Sequence, residues 1–206
     1  MIRAARAREE GFTLVEVMVA LLIFSMLAVA GVAILSFSVR AGAVSAARLD
    51  QAAALQRTVA VLSADLAQAV DRPWRDEGGM TRPAFTGDGA GMTLVRGGWS
   101  NLDGAPRPSL QRVAYVLNGG ALQRTAYPFL DGAAPLPAAV LMTDLKSLRF
   151  RFRHDGAWSD VWQGGPDQPL PDAAELLVVR RDGVTYRALL AVGTGYRPAG
   201  VSTRVS

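Results

Sequence analysis

Glu16 is the residue whose chemistry and surroundings disagree most. From Phe12 to Phe37 it is the only charged side chain, and the next charge is Arg40. An apolar run of this length can span a bilayer, because about 20 helical residues at ~1.5 Å each cross the hydrocarbon. A charge near the middle of such a helix costs on the order of 3 kcal/mol, and less near its end. The serines and threonine of the run cannot neutralise a carboxylate. Its counter-charge therefore comes from the chain terminus or from another molecule. The simpler alternative is an interfacial carboxylate that reaches up to water.

Other chemistry-bearing types are present without the spacing that catalysis needs. His154 is the single histidine and precedes Asp155-Gly156, which reads as a turn. No serine sits in a G-x-S-x-G elbow and no G-K-[ST] phosphate loop occurs. Gly87, Gly89 and Gly91 form G-x-G-x-G but precede a strand and open no helix, the reverse of a dinucleotide site. Asp155, Asp160, Asp167 and Asp172 are oxygen donors of the kind calcium uses, but their spacing matches no EF-hand loop. Solvated loop carboxylates are the alternative, so no cofactor is expected, with calcium kept open. Trp158 and Trp162 flank Ser159-Asp160-Val161; either they staple a core or they form a partner platform. Arg149, Arg151 and Arg153 give one strand a basic face, either solvated or set for an acidic partner.

Composition narrows the classes. The chain has 206 residues, half of them hydrophobic, which is one anchor and one ordinary domain. Its net charge of +4 comes from scattered arginines and one lysine, Lys146, so nucleic acid is not an expected partner. With no cysteine, disulfides, a thiol nucleophile and thiolate-bound metal are excluded. Arg3, Arg6 and Arg8 precede the apolar run and place the N-terminus in the cytoplasm by the positive-inside rule. The run is too long for a cleaved secretory signal and continues through Ala28-Val29-Ala30.

The elements that must position these residues follow from periodicity. Leu55, Val59, Leu62 and Leu66 form one helical face, opposite Arg57, Ser63, Asp65 and Gln68. Pro73 ends the helix or lies just beyond it. Residues 12 to about 70 thus read as one helix nearly 90 Å long at ~1.5 Å per residue, with Gly31 and Gly42 as candidate bends. Residues 71 to 109 read as loop with a short strand, Met92 to Val95. Hairpins are expected over 110 to 126, turning at Asn118-Gly119-Gly120, and over 174 to 192, turning at Asp182-Gly183. Between them Leu148, Phe150 and Phe152 alternate with the three arginines. A helix followed by antiparallel strands is an α+β order.

The arginine-bearing leader, Gly11, Phe12-Thr13-Leu14-Val15-Glu16 and the apolar helix together resemble the class III signal of type IV pilins and type II secretion pseudopilins. Glu9 and Glu10 stand where that superfamily more often carries basic residues. The resemblance implies cleavage by a prepilin peptidase after Gly11 and N-methylation of Phe12. It implies that Glu16 pairs with the α-amino group of a neighbouring Phe12 in a bundle of anchors. Four residues of helix place that carboxylate about 6 Å from the new terminus, within reach of a staggered neighbour. A buried pair of this kind fixes register more than it stabilises.

Leu148 to Trp158, Val161-Trp162, Leu170 to Leu176 and Gly183 to Arg187 resemble the J class of type II secretion minor pseudopilins. That resemblance implies a pilin-like α+β fold, a long N-terminal transmembrane helix packed on an antiparallel β-sheet domain. It also implies a non-enzymatic role at the tip of a periplasmic pseudopilus. The partners would be the I, K and H minor pseudopilins, the inner membrane, and either the secretin or the secreted cargo. The expected organisation is a leader (1–11), a transmembrane half-helix (12–38), a soluble half-helix (39–70), a periplasmic β-sheet domain (71–195) and a tail (196–206). A minor pilin of a type IV pilus is the alternative. A membrane-anchored periplasmic enzyme is the third reading. Trp158, Trp162, Arg149, Arg151 and Arg153 are the candidate partner surface, with a core or loop staple the favoured role for the two tryptophans.

Overall fold

The computed structural model describes residues 12–98 and 109–193. Gly11, the rest of the leader and the tail 196–206 lie outside them. The chain divides into two compact units between Ala52 and Ala53. Helix α1 (Leu14–Ala67) contributes to both and runs without interruption through Gly31 and Gly42.

In the first unit the large apolar side chains of α1 are exposed, with Leu21 through Leu27 all more than half exposed. By length and composition this helix can cross a membrane: an 18-residue window reaches a mean hydropathy of 2.8 and none of it is buried. Thr13 caps the start. Its Oγ1 accepts the Glu16 N–H at 3.3 Å, the side-chain half of a capping box in which Thr is Ncap and Glu is N3.

In the second unit α1 ends at Ala67, six residues before Pro73, where its last turn meets the sheets. Ala69 N–H bonds to Leu66 O and Gly193 N–H to the same carbonyl, satisfying a helix-end acceptor. Strands β1 (Trp74–Arg75) and β2 (Thr81–Arg82) form a small ribbon. Strands β3 (Phe85–Gly87), β4 (Gly91–Arg96), β5 (Gln111–Asn118), β6 (Ala121–Ala126) and β7 (Ala139–Met142) follow. Then come β8 (Leu145–His154), β9 (Ala157–Ser159), β10 (Trp162–Gln163), β11 (Ala173–Arg180) and β12 (Thr185–Ala191). Two larger antiparallel sheets result, one ordered β10-β3-β4-β5-β6-β7 and the other β12-β11-β8-β9.

Turn chemistry sets the registers. Gly119 and Gly120 take φ of 59° and 78° between paired Asn118 and Ala121, the type I′ geometry that glycine allows without cost. Asp155 and Gly156 do the same at φ 45° and 83°, pairing His154 with Ala157. The stretch 71–98, expected to be loop around one strand, holds four short strands. They are only two to six residues long and leave little period to detect.

One core joins the helix end to both sheets: Leu62 and Leu66 meet Phe85, Leu94, Val113 and Tyr115 from one sheet, and Phe150, Phe152, Leu176 and Val178 from the other. The Gly87–Gly91 segment is a close-approach turn. A Cβ at Gly87 would lie 2.2 Å from the Phe152 ring, and one at Gly91 would lie 2.5 Å from Tyr115 O.

Candidate assembly site

Phe12 and Glu16 are both exposed on the first unit, Phe12 at 81%. A groove on the helix surface is lined by Phe12, Glu16, Val17, Ala20, Leu21 and Phe24. Phe12, Glu16, Ala20 and Phe24 recur every four residues and so share one face. Among the described residues no side chain forms an ion pair with Glu16. Its local helix-end role is satisfied by Thr13, which leaves the charge itself available to a group outside the described residues.

Asp65 behaves in the opposite way. The periodicity assigned it to the polar face of the helix, but it is 1% exposed. Tyr115 Oη donates to Oδ2 at 2.5 Å. Arg124 donates bidentately, from Nε at 2.7 Å and Nη2 at 3.2 Å. Arg96 donates to Oδ1 and, through Nη2, to Gln68 Oε1 at 2.5 Å. These partners come from β4, β5 and β6, three adjacent strands, with Tyr115 directly opposite Arg124. The core face of the six-stranded sheet thus carries the cations for one helix carboxylate. One turn pair away, the buried Thr58 hydroxyl contacts Ala54 O at 2.8 Å and Leu141 O on β7 at 3.1 Å. Burial, with the Asp65 charge adding to it, pushes the Tyr115 phenol far above its ordinary value. For Arg124, burial alone would lower the guanidinium, but bonding to Asp65 outweighs it and the net direction is upward. The alternation of β5 gave a hint of this site: Tyr115 stands on an otherwise aliphatic face, and a buried phenol needs an acceptor.

The two tryptophans part company. Trp162 is 8% exposed, in the core on β10, beside His154 with ring centres 5.4 Å apart. Of its two readings the structure has the core staple, because a two-residue edge strand paired with β3 turns the ring inward. Trp158 is half-buried on the outer face of the four-stranded sheet, 5.6 Å from the Arg151 guanidinium. Arg149 and Arg153 are exposed on that face, and Arg151 is half-buried. Arg151 lies 3.2 Å from Asp160 and 3.6 Å from Glu175. Glu175 is 4% exposed and also bonds Arg187. Arg112 on β5 is buried as well. Its guanidinium lies 3.8 Å from the Trp74 ring centre and 3.6 Å from that of Tyr127. Burial lowers its affinity for the proton.

Of the four aspartates considered for calcium, only two come together. Asp160 pairs with Arg151 and Asp167 is exposed elsewhere. Asp155 and Asp172 do approach, and His154 joins them: Nε2 is 3.3 Å from Asp155 and Nδ1 3.9 Å from Asp172. The Asp155 N–H donates to Asp172 at 3.0 Å. One ligand atom from each of these three lies within 4.8 Å of the others, the most that this region offers a cation.

A long exposed apolar helix bearing a single carboxylate, followed by antiparallel sheets, defines a pilin-like subunit. The family model described as Type II secretion system (T2SS), protein J matches residues 33–192, and a prokaryotic N-terminal methylation motif matches 6–32. This chain belongs to the type II secretion system protein J family, the minor pseudopilins. It is 34% identical to the Klebsiella pneumoniae protein J over 91% of this chain and 97% of that one. To the Vibrio cholerae protein J it is 29% identical over 93% and 91%. It superposes on a chain of the GspK-GspI-GspJ complex from enterotoxigenic Escherichia coli with a TM-score of 0.61 and 28% identity, covering 69% of this chain and 97% of that one. A type IV-like pilin from Thermus thermophilus shares the fold at a TM-score of 0.51 and 16% identity, covering 68% and 96%.

Proposed function

We propose that this minor pseudopilin caps and initiates the pseudopilus. Its apolar helix lies in the inner membrane and then the filament, with the β-sheet domain in the periplasm. The observation that carries this is the exposed helix face bearing Glu16 next to a terminus that matches the methylation motif. A prepilin peptidase cuts after Gly11 and methylates Phe12, and Glu16 takes the amine of an adjacent protomer. Arg3, Arg6 and Arg8 support a cytoplasmic leader. The solved complex of GspK, GspI and GspJ in a relative supports I- and K-type partners here, with the H type, the secretin and the cargo as further contacts. The role is assembly and not catalysis, which the structural character of the family supports.

Mass spectrometry of the native chain tests processing: the mature protein should begin with N-methylated Phe12. A chain beginning at Met1 sinks the reading. Glu16→Gln keeps the capping-box geometry and removes only the charge. It should leave membrane insertion intact and abolish incorporation into filaments. Normal incorporation would show that the pairing is not used by this subunit.

A further inference from the structure

We propose that the outer face of the four-stranded sheet is a docking surface for a transiently bound acidic polypeptide. The proposal rests on the reading of the chain as a filament subunit, which displays this domain. The face is built across strands. Arg149, Arg151 and Arg153 alternate along β8. Directly opposite them on β11 stand Leu177, Glu175 and Ala173, and beyond these, on β12, Arg187, Leu189 and Ala191. Trp158 on β9 closes the row opposite Arg153.

The charges do not balance on this face. Glu175 is buried between Arg151 and Arg187, and Asp160 takes the other side of Arg151. Arg149 and Arg153 are exposed, and among the described residues no acid pairs with them. Glu175 shows how the surface treats a carboxylate: two guanidiniums close over it and exclude water, although it lies on the solvent side of the sheet. A partner carboxylate placed over Arg149 or Arg153 would meet the same chemistry.

The spaces between the cations are apolar. Leu189 is 61% exposed, and Leu177, Val179 and Trp158 are half-buried. Alternating cation and hydrocarbon suits a polypeptide whose acidic and apolar side chains also alternate, more than it suits a phosphate chain. Permanent interfaces are more apolar than a face that carries four arginines. Charge-rich ones act mainly on the rate of encounter and on selectivity. The occupant is therefore a partner that comes and goes, not a fixed filament neighbour.

The test uses the full-length chain in detergent micelles. The probe is a fluorescein-labelled peptide of alternating glutamate and leucine, followed by anisotropy, with a lysine-leucine peptide as control. The acidic peptide should bind and the basic one should not. Arg149→Glu with Arg153→Glu should weaken binding by on the order of tenfold, with unchanged thermal melting. In cells the same double variant should still co-purify with I- and K-type subunits while export slows. Undiminished peptide binding by the variant overturns the proposal. So does displacement of the peptide by inorganic polyphosphate at equal charge, which marks a nonspecific anion patch. Loss of subunit co-purification in the variant alone also overturns it, since the face is then a filament contact. If the wild-type chain fails to co-purify, the assembly reading falls, and the peptide measurement still decides this face.

Discussion

Glu16 and Asp65 sit on the same helix, yet their surroundings differ completely. Glu16 is exposed among apolar neighbours and has only the Thr13 cap beside it. Asp65 is buried and bonded to Arg96, Tyr115 and Arg124. A globular domain that buries an acid supplies the cations from its own strands, because an unpaired buried charge is prohibitively costly. Asp65 secures the fold, whereas Glu16, on a helix long and apolar enough to cross a membrane, has no ion-pair partner among the described residues.

The largest break in that comparison is Asp65→Ala. It leaves Arg96 and Arg124 without their anion and should cost about 3–5 kcal/mol, lowering the melting temperature of the full-length chain by roughly ten degrees. Replacing Asp65→Leu together with Arg124→Met should recover only part of the loss, because Arg96 still lacks its anion and the Tyr115 hydroxyl its acceptor. A double variant no better than the single one would show that the cluster does not act as a pair. Leu62→Ala, beside the clamp, should cost about 3 kcal/mol through the cavity it opens, read in the same melts.

Tyr115→Phe should cost less, about 1.5–3 kcal/mol, as it removes one hydrogen bond to a charged group. It carries a pH signature. The phenol is raised in the folded chain, so the folded state keeps its proton where the unfolded state loses it. Stability from this group is full below about pH 10 and falls above it by about 1.4 kcal/mol per pH unit. Denaturant titrations between pH 9 and 11 should show that decline in the native chain and a shallower one in Tyr115→Phe. At the small end, Glu16→Gln should shift melting by less than about 0.5 kcal/mol, since Glu16 is exposed and has no ion pair among the described residues. A large drop would mean that Glu16 already has a partner within the chain.

Much of this architecture was legible in the residues because it is local. The long helix, the two hairpins and the Phe150/Phe152 core face follow from spacing and from turn pairs such as Gly119-Gly120. The Asp65 clamp was missed because a 3.6-residue period places a charged residue on a face but cannot say what covers it. Whether Trp162 was core staple or partner platform stayed open in the sequence for a related reason. Its two-residue strand has no period, and only the pairing with β3 turns the ring inward. Arg112 is buried because Trp74 of the ribbon and Tyr127 of the following loop stack on its guanidinium, contacts between residues far apart in the chain.

By itself, the order of residues determined that one helix has an unbroken apolar stretch, that a single carboxylate interrupts it, and that antiparallel strands follow. These are properties of neighbours along the chain, where hydrophobicity and turn geometry act directly. Only the tertiary structure decided which acid is enclosed and which stays open. Burial depends on strands brought together from distant parts of the chain, and the energy of a charge depends on what those strands place around it.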